Sequence, residues 1–178
     1  TIASGTLSAV ATIDGGITWT ATFTPTVSIS DATNVITLDT TGVSDTVGNA
    51  GVGTTDSNNY AVDTVRPTVV VSLSDTSLVA GETSLVIMAF SEAVTGFDNA
   101  DLTIANGTLS AVATADGGVT WTATFTPTAE LIDATNVISL NVTGVSDAAG
   151  NAGVGTSNSN NYTINTVRPT AGIVVTDT

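Results

Sequence analysis

The sequence has no cysteine, histidine or lysine, and its only basic residues are the arginines Arg66 and Arg168. With these three residue types missing, nucleophilic and acid–base catalysis would depend on a pair of carboxylates, as in glycosidases. No motif in the sequence indicates the cleft that such a pair would need. We therefore expect that the protein is not an enzyme.

Negative charge dominates the composition. The 178 residues include 16 acids against two arginines, which gives a formal net charge of −14. Nucleic acids and anionic lipids both require a basic surface, so neither is expected as a partner. No apolar run approaches the roughly 18 residues of a membrane span, so we expect no membrane insertion. A chain this acidic favours cations as ligands.

An internal repeat with a period of 102 residues organises the chain. Residues 1–67 align without a gap with residues 103–169, and 17 of these 67 positions differ. The stretch from Asn59 to Thr68, which contains Arg66, returns from Asn161 to Thr170. Repeats of this length are typical of tandem arrays of modules.

The repeat also predicts the module boundaries. Residues 68–102 have no counterpart before Thr1, and residues 170–178 match the stretch that begins at Thr68. We therefore predict a partial module over residues 1–64, a complete module over residues 65–166, and the first strand of a third module over residues 167–178. The chain is expected to be part of a longer array. The partial module is expected to expose much of its core unless neighbouring copies supply the missing strands.

The complete module has short alternating segments and no helical period. In the clearest one, Trp121, Ala123 and Phe125 point to one side and threonines to the other. Seven strands are predicted, through Val69–Leu73, Val86–Phe90, Leu102–Ile104, Leu109–Thr114, Val119–Thr126, Ile138–Val142 and Tyr162–Ile164. Seven strands separated by turns predict an all-β fold of tandem immunoglobulin-like β-sandwich modules. Trp19 and Trp121 are expected to fill the core, since each lies on the apolar side of its strand.

The nine acids of the complete module are predicted to lie in loops or at strand ends. If the strands run alternately up and down, the loops after the second, fourth and sixth strands meet at one end. That end holds five acids and receives a sixth from the linker: Glu92, Asp98, Asp101, Asp116, Asp147 and linker Asp63. Carboxylates so close together repel unless some of them stay protonated or a cation lies among them. Calcium accepts irregular sites of about six to eight oxygens, so the sequence favours calcium over magnesium.

A structural role for each aspartate is the alternative. Asp side chains in turns often accept hydrogen bonds from nearby backbone, and Asp147 before Ala-Ala-Gly-Asn fits such a turn. Turn formation does not account for Glu92 or for the run from Phe97 to Asp101. The cluster as a whole therefore favours a metal site.

Four motifs carry a family resemblance: Phe90-Ser91-Glu92-Ala93-Val94, Asn106-Gly107-Thr108-Leu109, the Asp-Gly-Gly runs at 14–25 and 116–127, and Val-Ser-Asp-x-x-Gly-Asn at 43–49 and 145–151. Together they resemble the bacterial Ig-like repeats of giant surface adhesins of the RTX and biofilm types. The resemblance covers essentially the whole chain. It implies extracellular modules on the bacterial cell surface that stiffen when calcium fills their junctions, as cadherins do. The ligands it implies are Asp63, Glu92, Asp98, Asp101 and Asp147. The second junction has Asn165 in place of Asp63, which predicts a weaker site there.

The leading prediction is a structural extender of a large adhesin that functions in cell adhesion and is rigidified by calcium between modules. Its partners would be the neighbouring modules of the same chain, while other domains bind a host or surface ligand. The alternative is a ligand-binding Ig-like module for glycans or a host protein. Tyr60, Phe97 and Tyr162 are the aromatic candidates for that role outside the obvious core strands.

Overall fold

The computed structural model describes residues 1–177 and divides the chain into unit 1, Thr1–Val65, and unit 2, which begins at Arg66. Over the described residues, the regular structure is β-strand apart from one short 3-10 helix, Asn99–Asp101. The predicted all-β class is therefore confirmed. No helix in this part of the chain is long and apolar enough to cross a membrane.

Unit 1 contains eight short strands that pair two by two. They are β1 (Gly5–Leu7), β2 (Ala11–Thr12), β3 (Trp19–Thr20), β4 (Phe23–Pro25), β5 (Ser30–Asn34), β6 (Thr37–Asp39), β7 (Thr54–Asp56) and β8 (Tyr60–Asp63). The antiparallel pairs are β1–β4, β2–β3, β5–β8 and β6–β7. Within residues 1–65, all of which are described, Val62 is the only buried hydrophobic side chain. Unit 1 thus has the turns and strand pairs of a module without a closed core.

Unit 2 contains thirteen strands. They are β9 (Val69–Leu73), β10 (Ser77–Val79), β11 (Ser84–Phe90), β12 (Val94–Thr95), β13 (Leu102–Ile104), β14 (Gly107–Leu109), β15 (Ala113–Thr114), β16 (Thr120–Pro127), β17 (Ile132–Asn136), β18 (Ile138–Asn141), β19 (Ser146–Asp147), β20 (Thr156–Asn158) and β21 (Tyr162–Asn165). The largest sheet has the order β14–β16–β11–β9, with β15 also paired to β16. The other sheets are β13–β18–β20, β10–β21–β17 and the pair β12–β19.

One hydrophobic core joins these sheets, as expected of an immunoglobulin-like β-sandwich. Strand β11 supplies Val86, Met88 and Phe90, which alternate with more exposed residues because successive side chains of a strand point to opposite faces. The rings of Phe125 and Tyr162 meet edge to face, 5.1 Å between centroids. Burying each large apolar side chain contributes about 1.5–3 kcal/mol, so this core is the main source of stability in unit 2.

The seven strands predicted for the complete module are all present, with one change: the fourth is split into β14 and β15, both paired to β16. Five further strands were not predicted, namely β10, β12, β17, β19 and β20. The up-and-down order is wrong, because β10 pairs in parallel with β21 instead of with a chain neighbour. The prediction that all nine acids lie in loops or at strand ends is wrong for Asp133, which is the second residue of β17 and lies beside its bulge.

The two tryptophans have different environments. Trp121 is half-buried and its ring meets Phe97 edge-on, with centroids 5.3 Å apart, as expected for a core residue. Trp19 is 57% exposed, so the core assignment is wrong for this residue. The reason is that Phe97 belongs to the stretch 68–102, which has no counterpart in unit 1.

Residues 166–177, where the sequence predicts the first strand of a third module, contain no strand.

Candidate metal centre

Three loops of unit 2 meet at one end of the sandwich, as the sequence predicts. The loop after β11 leads into Val94, which is opposite Asp147 in the β12–β19 pair. The Val94 N–H also donates to the Gly118 carbonyl in the loop before β16, at 3.1 Å. A side chain on Gly118 would come within 2.7 Å of the Val94 oxygen, so this close approach requires glycine. The loops that carry Glu92, Asp116 and Asp147 are thus packed together.

Asp147 is the buried acid of this end, with 4% of its surface exposed. Its Oδ1 accepts from the Asn151 backbone N–H and its Oδ2 from the Asn151 side-chain amide, both at 2.8 Å. The Asn151 side-chain bond is the main reason that the pKa of Asp147 is lowered, and it outweighs the opposing effect of burial. Asp147 is therefore ionised at neutral pH. Each carboxylate oxygen can accept more than one bond, so the bonds to Asn151 do not exclude a cation as a further partner.

Glu92 lies close to Asp147, and the two acids form the Glu92–Asp147 pair. Glu92 is half-buried in the turn that follows β11. A carboxylate oxygen of Glu92 and one of Asp147 lie within 4.8 Å of each other. Two oxygens bound to one calcium ion at about 2.3–2.6 Å can be at most about 5 Å apart, so this spacing fits a shared ion. The sequence prediction that these two residues come together is in agreement with this geometry.

Asp98 and Asp101 have a different arrangement. The Asp98 Oδ1 accepts from the Ala100 N–H at 2.6 Å, and the Asp101 Oδ2 accepts from the Asp98 N–H at 3.0 Å. These reciprocal bonds form a capping box on the 3-10 helix. Within the described residues, neither acid joins Glu92 and Asp147 in a group with all ligand atoms inside 4.8 Å. Their role as metal ligands stays a prediction.

Asp116 belongs to its own turn. Its Oδ1 accepts from the backbone N–H groups of Thr120 (2.9 Å) and Val119 (3.2 Å), and from the Thr114 hydroxyl (2.9 Å). These bonds, above all the one from Thr120, lower the pKa of Asp116 to about 2. The structural alternative considered for turn aspartates thus describes Asp116 well.

The start of unit 2 is anchored at the same end. The Arg66 guanidinium donates to the Ala152 carbonyl at 2.6 Å, one residue beyond Asn151. The Thr68 N–H donates to the Ser91 hydroxyl at 3.0 Å, and the Ser91 N–H to the Thr68 carbonyl at 2.9 Å. Sequence reasoning missed Ser91, although its place directly before Glu92 was a usable signal. The linker therefore enters unit 2 beside the Glu92–Asp147 pair.

Asp63, the predicted linker ligand, is the last residue of β8 in unit 1. It is half-buried, and its Oδ1 accepts from the Val65 N–H at 3.2 Å. Two residues separate it from Arg66, where unit 2 begins. Its role as a metal ligand is treated as a proposal below.

Comparison with known proteins gives one family. The sequence model described as bacterial Ig-like domain matches residues 1–62 and again residues 63–164. No curated protein and no solved structure matches the chain significantly. Domains of this family are generally extracellular or surface modules and are typically structural and non-catalytic. Because the two matches cover most of the sequence, the chain belongs to the bacterial Ig-like domain family.

Proposed function

We propose that this chain is a structural extender from a bacterial surface adhesin of the RTX or biofilm type, in which calcium stiffens the joint between modules. The observation that carries the proposal is the Glu92–Asp147 pair, whose carboxylate oxygens lie within 4.8 Å at the end where unit 2 begins. Two carboxylates held this close repel each other when both are ionised, and a cation between them would offset that repulsion.

The proposed ligands are Glu92 and Asp147 from unit 2 and Asp63 from the linker. Consecutive Cα atoms are about 3.8 Å apart, so the Cα of Asp63 lies at most about 11 Å from that of Arg66. Arg66 is itself bonded beside the Asp147 loop, through Ala152. Covalent connection thus keeps Asp63 within reach of a cation at this end. Asp98 and Asp101 each use one carboxylate oxygen in the capped turn and lie outside the group that holds Glu92 and Asp147, so we do not include them among these ligands.

The chemistry of these donors suits calcium. Carboxylate oxygens are hard ligands, and calcium completes irregular sites with backbone carbonyls and water. Extracellular modules of this kind often bind calcium with a Kd of about 10⁻⁴–10⁻³ M. An ion held by both the linker and the module would restrict the angle between consecutive modules. Nearly identical repeats fit such a spacer, which needs many equivalent copies.

The burial of aromatic residues favours a spacer over a glycan-binding or host-binding module. Two of the three aromatic candidates for ligand contact lie in the core, since Phe97 is 5% exposed and Tyr162 is fully buried. Phe97 contacts the rings of Phe90 and Trp121, and Tyr162 that of Phe125. Neither ring is therefore accessible for stacking on a sugar.

Calorimetric titration of the chain with calcium tests the proposal. We expect one site that is weakened at least about tenfold by Glu92→Gln, Asp147→Asn or Asp63→Asn, since each removes a charged ligand. Glu82→Gln is the matched control, because Glu82 is exposed in the turn after β10. The Glu82→Gln variant should bind calcium with the same affinity as the parent chain. Near-ultraviolet circular dichroism of Trp121 checks that each variant is folded. Equal weakening by all four variants, or no calcium binding by the parent, would overturn the proposal.

A further inference from the structure

The largest sheet of unit 2, β14–β16–β11–β9 with β15, has no charged residue in any of its strands. The chain as a whole has 16 acids and a net charge of −14. The acids nearest to this sheet in the sequence, Asp75, Glu82 and Asp116, lie in the loops between its strands. The side of the sheet that faces away from the core is therefore a neutral face on an acidic molecule.

The neutral face has two unlike halves. Strands β9 and β11 turn the apolar side chains of Val70, Leu85 and Ile87 outward. Val70 is 68% exposed and Leu85 is 44% exposed. Strand β16 turns its four threonines outward, beside the small Ala113 of β15. The two halves lie side by side, because Ile87 is opposite Thr122 in the β11–β16 pair. One half is thus apolar, and the other consists of threonine and alanine.

An open groove of about 300 Å³ lies in the threonine half. Its lining includes Ala113, Ala115 and Thr122. Asp116 also borders the groove, but its carboxylate accepts hydrogen bonds within its own turn. The strand at the opposite edge of the sheet is β9, which carries the exposed Val70. The neutral face thus has a recess at one edge and a projecting apolar side chain at the other.

We infer that the neutral face of unit 2 binds the same face of a second copy of the chain, related by a two-fold axis that runs along the strands. Such an axis places β9 of each copy over β15 of the other, so that Val70 enters the groove of the second copy. It also places Leu85 and Ile87 over the threonines of the second copy. Packed sheets lie about 10 Å apart, so these side chains interdigitate. The contact needs no metal.

The charge of the chain favours a second copy as the partner. Each copy carries a net charge of −14, so the acidic loops of two copies repel each other. The neutral face allows two copies to meet without opposing like charges across the contact. A basic partner would gain more at the loops, where the acids lie, than on this face.

The size of the neutral face predicts a weak contact. Four strands about 4.8 Å apart, with about seven residues at about 3.4 Å each, cover roughly 450 Å². A standard interface buries about 800 Å² per partner, so one pair of faces should associate with a Kd of about 1 mM or weaker. Joined modules that each carry the face would add their contacts by avidity. The face would thus give such modules a role in side-by-side association, beyond that of a spacer.

Self-association of the chain, followed by NMR over increasing protein concentration, tests this inference. EDTA is present throughout, which separates this test from that of the calcium proposal. We expect slower diffusion at higher concentration, with shifts of the methyl signals of Val70, Leu85 and Ile87 and not of Val79, which lies in another sheet. Sodium chloride should strengthen the association, because it screens the repulsion between the two acidic copies.

Three variants with the same change in net charge show whether the contact lies on the neutral face. Val70→Asp and Leu85→Asp should each weaken the association at least about tenfold, since each places a carboxylate in the contact. Val79→Asp is the matched control, at a position in β10 that is 48% exposed, and should associate like the parent chain. Near-ultraviolet circular dichroism of Trp121 checks that each variant is folded.

Four results would overturn the inference. One is a parent chain whose diffusion and methyl signals do not depend on concentration, even at high salt. Another is an association that salt weakens, since ion pairs would then hold the copies together. The third is equal weakening by Val79→Asp and the two face variants. The last is an association that survives both Val70→Asp and Leu85→Asp, since the contact would then lie elsewhere on the chain.

Discussion

The same octapeptide, Thr-Trp-Thr-Ala-Thr-Phe-Thr-Pro, occurs at residues 18–25 and 120–127 with two different structures. In unit 2 it is the continuous strand β16, whereas in unit 1 it is broken into β3 and β4. The difference lies in the neighbours, because β11 pairs with β16 from Ser84 to Ala89 and has no counterpart in unit 1. An alternating pattern thus sets a preference for strand, and a partner strand is needed to realise it over the full length.

The turn before this octapeptide is the same in both units. The indole N–H of Trp19 donates to the Gly16 carbonyl and that of Trp121 to the Gly118 carbonyl, both at 3.1 Å. Asp14 accepts from the Thr18 N–H at 2.8 Å, as Asp116 does from Thr120. The turn is therefore determined locally, while strand length and core burial are determined by distant segments.

Disrupting β11 in unit 2 should have the largest effect. Val86 is fully buried, so Val86→Asp places a charge in the core and should lower the free energy of unfolding of unit 2 by more than about 4 kcal/mol. Trp121 emission should then approach that of Trp19. Urea unfolding followed by tryptophan fluorescence measures both effects. Leu85→Asp is the control, at a neighbouring position that is 44% exposed, and should cost less than about 1 kcal/mol. Equal losses for the two variants would contradict the role given to β11.

Exchanging one position between the units should have an intermediate effect. The Asn106 amide donates to Asp133 and to the Asn136 side chain, both at 2.8 Å, from a backbone with φ of 59°. Asn106→Ser removes the bond to Asn136 and leaves at most a bond to Asp133 like that of Ser4 to Asp31, so it should cost about 1–3 kcal/mol in unit 2. Asparagine also adopts positive φ more readily than serine. Urea unfolding measures the loss of unfolding free energy. An unchanged free energy of unfolding would contradict the stabilising role given to the Asn106 side chain.

The reverse exchange should stabilise unit 1. There Ser4 bonds Asp31 at 3.2 Å, and the buried Asn34 side-chain oxygen has no hydrogen-bond partner among the described residues. Ser4→Asn supplies that partner and should add about 0.5–1.5 kcal/mol. Hydrogen exchange of the β5–β8 amides measures the gain. Faster exchange in Ser4→Asn than in the parent would show that the two positions are not equivalent.

The smallest expected effect is the loss of stability at acidic pH. Folding lowers the pKa of Asp116 and Asp14 from 3.8 to about 2, with the N–H of Thr120 or Thr18 as the main cause. A lowered pKa means that these carboxylates stabilise the fold above about pH 4 and lose that contribution as the pH falls towards 2. Carboxyl NMR titration should give midpoints near 2 for both residues, because the turn is local. A midpoint near 3.8 for Asp14, with one near 2 for Asp116, would show that the turn forms only with the additional segments that unit 2 contains.

Strands with strict alternation, such as Val69–Leu73 and Ser84–Phe90, could be predicted from the sequence because their burial follows the period of a strand. Strands such as β17, with the sequence Ile-Asp-Ala-Thr-Asn, could not, since pairing with β21 defines them and not their own pattern. The parallel pairing of β10 was missed for the same reason. It depends on which edge is free once the other strands are in place.

The crowded acidic end could be predicted because turn residues are visible in the sequence. Which of its acids form the Glu92–Asp147 pair and which accept bonds within turns could not be predicted, because this depends on where each side chain points. A signal for Asp98 and Asp101 was available: two acids three residues apart resemble a capping box. Glu92 and Asp147 have no such spacing; the sequence predicts only that their loops share one end, and the pairing of β12 with β19 shows that the two loops are in contact.

The central claim is that calcium at the Glu92–Asp147 end stiffens the joint between modules. Small-angle scattering of the chain, with and without calcium, tests it most directly when combined with thermal melting of the same samples. The account predicts that calcium raises the melting temperature and changes the scattering to that of a more extended and less flexible particle. It also predicts that Asp63→Ala with Glu92→Ala removes both responses. An unchanged melting temperature together with unchanged dimensions in saturating calcium would contradict the account.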